Sequence, residues 1–216
     1  YLASMHMNHA YSMTVEKLLE LELPERVEYI RVLVAELQRI ASHLLAVGTF
    51  GLDVGAITPF QWTFRDRERI LDLFEQLCGA RLLYNYIWPG GVSHDLPPKF
   101  IEHTMDFIDY FEPNIDELND VLTTNKIFIE RSADVGILPA KVGINFGVSG
   151  PSLRGSGVNW DLRKNEPYSI YDKLDFNVPL GKGAMGTVGD CWDRYYVRVL
   201  EMKESIKIIR QVCASM

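Results

Sequence analysis

The feature that most constrains this chain is a run from Pro24 to about Val47 that is apolar on nearly every side of a helix. Ile30, Val32, Leu33, Val34, Leu37, Ile40, Ala41, Leu44 and Leu45 leave it no solvent face. A helix apolar all round is a buried one, and Pro24 suits its first turn. The same helix carries Glu36, Arg39 and His43 at spacings of three and four, which puts them on one face. An isolated buried charge is prohibitively costly, so these groups demand partners. Two readings stand: an ion-pair ladder that glues helices together, or a relay that moves protons.

Other elements wrap this helix. Residues from about Ser4 to Glu20 are helix-compatible. Glycines 48, 51 and 55 break the central pattern, and Thr58-Pro59-x-Gln61 then reads as a capping box opening a helix towards Tyr84, closed by Pro89-Gly90-Gly91. A further helix follows Pro97-Pro98 to about Thr123. Residues 135 to 190, rich in Gly, Pro, Asn and Asp, predict loops, one short helix and a small hairpin. A last helix begins near Asp190. The expected fold is mainly α, a single helical domain over 1–216 with a loop-rich, small β region. No apolar run approaches the roughly 18 residues of a membrane span.

The chain opens on Tyr1-Leu2-Ala3 without a start Met and stops inside an apolar-periodic run, so it reads as a piece of a longer protein. A net charge of −7 argues against a nucleic-acid binder. Three cysteines without a CxxC pair leave no cage for iron–sulfur, zinc or nickel in this chain alone, and no cofactor of its own is expected. His6 and His9 lack a third metal ligand, so capping or surface roles fit them better. Asp53 sits between glycines and apolar residues. It is either a carboxylate raised by desolvation or a turn residue bonding local backbone. Phe60 and Phe64, one turn apart, line a pocket or simply fill core. Gly181-Lys182-Gly183-Ala184-Met185-Gly186 satisfies G-x-G-x-x-G but lacks the βαβ context that gives this pattern its meaning. A flexible turn is the better reading.

Six stretches then carry a resemblance: YLASMHMNHAYSMTVEKLL from Tyr1, IRVLVAELQRIASHLL from Ile30, LDVGAITPF from Leu52, GARLLYNYIWPGG from Gly79, LRGSGVNWDLRK from Leu153 and GDCWDRYYVRVLEM from Gly189. Together they closely resemble the 49 kDa subunit family of respiratory complex I, in the family's order and across nearly the whole sequence. The resemblance implies a fold derived from nickel–iron hydrogenase large subunits, with the vacated metal cavity serving a quinone. It implies that Tyr1 donates a hydrogen bond to a quinone carbonyl, and that Asp53 pairs with a histidine ligand on a segment preceding this chain. Thr49, Phe60 and Phe64 would line the quinone cavity. Electrons would come from an iron–sulfur cluster of a neighbouring subunit. A 30 kDa-type subunit and a membrane-arm subunit forming the quinone channel would be further partners. The expected location is peripheral, on the cytoplasmic side of a bacterial inner membrane or the matrix side of a mitochondrial one. A structural scaffold without chemistry and a membrane-bound hydrogenase are the rival readings; the missing cysteine pair speaks against the latter.

Overall fold

The computed structural model describes residues 1–216. Its axis is α2, Glu25–Asp53, preceded by α1, Ser4–Leu19, and followed by α3, Ile57–Cys78. Two-residue strands β1, Ile87–Trp88, and β2, Gly91–Val92, pair antiparallel around the Pro89-Gly90 turn. Helix α4, Phe100–Leu118, runs into a π-helical turn at Asn119–Thr123. Short helices α5, Lys126–Ser132, α6, Ala140–Asn145, α7, Gly150–Gly155, and α8, Leu162–Asn165, lead to α9, Cys191–Ser215. The fold is mainly α, as expected, and its main layer is α2 packed between α3 and α9. No helix is long and apolar enough to cross a membrane.

Burial follows the composition of α2: Val32, Leu33, Val34, Leu37, Ile40 and Ala41 are completely enclosed. Phe74 from α3, Phe111 from α4, and Ile208 and Ile209 from α9 join them in one continuous apolar cluster.

Several boundaries differ from the sequence reading. Gly48 and Gly51 do not end α2. A Cβ on Gly48 would stand 2.1 Å from Thr63 Oγ1, and one on Gly51 would stand 3.2 Å from Leu122. These glycines let α3 and the π-helical turn approach closely, so the helix continues to Asp53. The capping box is not formed either. Helix α3 begins at Ile57 after Ala56, with no side-chain cap, and Pro59 falls within its first turn. It ends at Cys78 rather than Tyr84, because Gly79 takes the left-handed conformation (φ +72°) that closes a helix. The hairpin lies at 87–92, and residues 135–190 contain short helices but no strand. The Gly-rich segment there is tied down by backbone and side-chain bonds alike, Gly181 N donating to the Arg154 carbonyl at 2.9 Å and Gly183 N to Asp193 Oδ2 at 2.9 Å. The last helix begins near Asp190 as expected, and Asp190 caps it, accepting from Asp193 N at 2.8 Å.

Candidate functional site

Glu36, on the buried face of α2, has no solvent exposure. Its carboxylate accepts from Arg39 Nε (3.1 Å), Arg163 Nη1 (3.2 Å), Tyr171 OH (2.6 Å) and Ser205 Oγ (2.7 Å). Arg163 continues to Asp161 through Nη2 at 2.8 Å, and Asp161 lies 3.5 Å from Arg154. Arg154 donates to Glu201 at 2.7 Å, and Glu201 accepts from His43 Nε2 at 2.7 Å. Three carboxylates and three guanidiniums thus form one series across α2, α7, α8 and α9.

The protonation states follow from the surroundings. Burial alone would raise the Glu201 carboxyl, but the His43 hydrogen bond and the charges of Arg154 and Arg39 outweigh it and hold it at about 2. Glu36 is likewise pushed up by burial and pulled further down by Arg39 and Arg163. Burial lowers His43 despite its carboxylate partner. His43 therefore sits neutral with Nε2–H donating, since Glu201 can only accept, and the network is balanced in charge.

Two cavities border this network. The first, of about 360 Å3, is lined from α2 by Ala46, Val47, Thr49, Phe50 and Asp53, and faced by Ser152, Cys191, Arg194, Tyr195 and Arg198. Cys191 Sγ accepts from Arg194 Nη2 at 3.1 Å. The second, of about 490 Å3, lies between the start of α1, the middle of α2 and residues 149–163, and holds His6, Arg39, His43, Arg154 and Arg163 on its wall.

The residues singled out from sequence are not all brought together. Glu36, Arg39 and His43 share one network, and Thr49 and Asp53 share the first cavity. Asp53 is an exposed residue at the C-terminal end of α2, with no hydrogen bond to its carboxylate. Phe60 and Phe64 pack on each other, with ring centroids 4.4 Å apart, outside both linings. Tyr1 is 90% exposed. The neighbouring Leu2 carbonyl accepts from Gln38 Nε2, which anchors this end of α1 beside mid-α2. At about 1.5 Å rise per residue, Asp53 stands roughly 22 Å along the helix from that anchor.

Sequence reasoning missed Arg154, Asp161, Arg163, Tyr171, Glu201 and Ser205. One signal was available: Glu201 falls among Val197, Val199 and Met202 in a helix otherwise rich in buried residues. The G-x-G-x-x-G loop is held by a carboxylate from α9. Asp193 Oδ2 accepts from Gly183 N (2.9 Å) and Gly189 N (3.3 Å), so these amides are not free to cradle a phosphate.

Residues 53–216 match the model of the family described as the 49 Kd subunit of respiratory-chain NADH dehydrogenase. The D-type subunit of the NADH-quinone oxidoreductase of Chlorobaculum tepidum is 58% identical over 211 residues, covering 98% of this sequence and 53% of that protein. Its counterpart in Cytophaga hutchinsonii is 58% identical over 213 residues, 98% of this sequence and 54% of its own. That of Chlorobium luteolum is 56% identical over all 216 residues and 55% of its own length. The chain spans about half the length of the curated relatives it matches.

Proposed function

Because the chain belongs to the family of the 49 kDa subunit of respiratory-chain NADH dehydrogenase, we propose that it supplies quinone-facing residues to a proton-translocating NADH:quinone oxidoreductase. One observation carries the reading beyond family. Thr49 and Asp53, one turn apart at the end of α2, open on a cavity whose opposite wall carries Arg194 and Arg198. A carboxylate facing arginines across a small cavity suits a site where charge changes during reaction.

Reduction of a quinone to a quinol takes two electrons and two protons. An iron–sulfur cluster of a neighbouring subunit would supply the electrons. Tyr1 would donate through its phenol to one carbonyl, and a histidine from another segment of the full-length protein would serve the second. Asp53 would orient that imidazole and balance its charge. Phe60 and Phe64 would contribute an apolar wall outside the first cavity. The same reading places the chain peripherally at an energy-converting membrane, beside the cluster-bearing subunit, a 30 kDa-type subunit and a quinone-channel subunit.

A purely structural role is favoured by a different observation, the completeness with which the buried charges pair among themselves. Substitution separates the two. In the assembled enzyme, Tyr1→Phe is expected to lower quinone reductase turnover at least tenfold without loss of assembly. Asp53→Asn should lower turnover per assembled complex more than Glu36→Gln does. Unchanged turnover of Tyr1→Phe with a native-like ubiquinone would overturn the quinone reading.

A further inference from the structure

The second cavity has no role in that reading, and its polar wall is unbalanced. Arg163 directs its donors to Asp161 and Glu36, and Arg154 directs its own to Glu201 and the Trp160 carbonyl. Arg39 differs. Only its Nε is used, on Glu36, and neither Nη group has an acceptor within the protein. His6 adds Nε2, buried and without a partner. Burial, and then the adjacent charge of Arg39, lower the His6 ring to about 3, so it stands neutral and free to donate one N–H. Asp161, the carboxylate on this wall, is already held by Arg163. Met7, Pro151 and Leu162 supply apolar surface beside these donors, and about 490 Å3 lies within the roughly 300–1,000 Å3 of small-molecule pockets.

We propose that this cavity binds a carboxylate carried on a small apolar body, with the two Nη groups of Arg39 taking its two oxygens and His6 Nε2–H adding a third hydrogen bond. A planar guanidinium fork matches a carboxylate in both spacing and charge. The Glu36 bond through Nε fixes the orientation of that fork. The network behind the cavity is balanced, so the bound anion adds one negative charge opposite donors that lack acceptors.

The test uses the full product of the gene, with benzoate as probe and benzamide, of the same shape but uncharged, as control. Saturable benzoate binding by isothermal titration, with benzamide at least tenfold weaker, is the expected result. Arg39→Lys keeps the charge beside Glu36 but loses the fork, and should weaken benzoate at least tenfold. His6→Leu should weaken it about threefold to tenfold, and serves alone if Arg39→Lys fails to fold by circular dichroism. Tyr1→Phe should leave the affinity unchanged, so failure of the quinone reading and failure of this one are distinguishable. No benzoate binding, equal binding of benzamide, or affinity indifferent to both substitutions would each overturn the proposal.

Discussion

Glu36 shows how much one side chain can organise. Its four partners come from α2, α8, the turn at Tyr171 and α9, so its charge adds a polar tie to segments that the apolar core already brings together. Removing a single member of a buried ion network leaves the others uncompensated, at about 3–5 kcal/mol. Glu36→Gln is therefore expected to destabilise the protein by that amount in urea unfolding. A loss below about 1 kcal/mol would mean that the guanidiniums find water instead. The sequence showed that Glu36, Arg39 and His43 needed partners but not which ones. Arg163 stands in a mostly polar stretch (Asp161-Leu162-Arg163-Lys164-Asn165) that resembles any solvated loop, and its burial is set by residues far away in sequence. Asp53 and Tyr1 were assigned to the site through resemblance alone; the local sequence of Asp53 favoured a turn residue bonding nearby backbone.

Among the elements, α2 was the most legible, because burial on all sides leaves a pattern that no surface helix shows. Its length was not legible. A glycine in a helix is read as a break because it lowers helix propensity by about 1 kcal/mol, and only the packed neighbour reveals that it is there for clearance. Gly48→Ala should cost about 1–3 kcal/mol through overpacking against Thr63, despite the better propensity of alanine. In a Thr63→Ala background the same change should cost at least about 0.5 kcal/mol less, a coupling that a double-mutant cycle reads directly. Additive costs would place the clash elsewhere. The hairpin at 87–92 escaped the sequence reading because two-residue strands have no period to detect. It is pinned by Glu16 instead, which accepts from Gly90 N at 2.8 Å and from Arg31 Nη2 at 2.6 Å.

For the whole molecule, acid should loosen the fold in two stages. Burial, and then the nearby Arg31 charge, lower His9 to about 4, and His6 is lowered to about 3. Unfolded histidines titrate near 6.5, so between there and those values the unfolded state binds more protons, and stability falls as pH falls. The loss approaches about 1.4 kcal/mol per pH unit for each ring, beginning near pH 6.5. Glu201, held at about 2, adds its own loss below about pH 4.5. Urea titrations should show flat stability above about pH 7 and a lower midpoint at about pH 5.5, with a shallower decline in His9→Gln. A midpoint higher in the acid sample than in the neutral one would refute this. The central helix also imposes an order on the birth of the protein. The Arg163 and Ser205 groups that bond Glu36 lie 127 and 169 residues downstream. At about 5–20 residues per second, a ribosome needs roughly 10–30 s to deliver the last of them. Through that interval this apolar helix has been made but cannot close around its charge, so the nascent polypeptide carries an unsatisfied buried carboxylate until Ser205 has emerged.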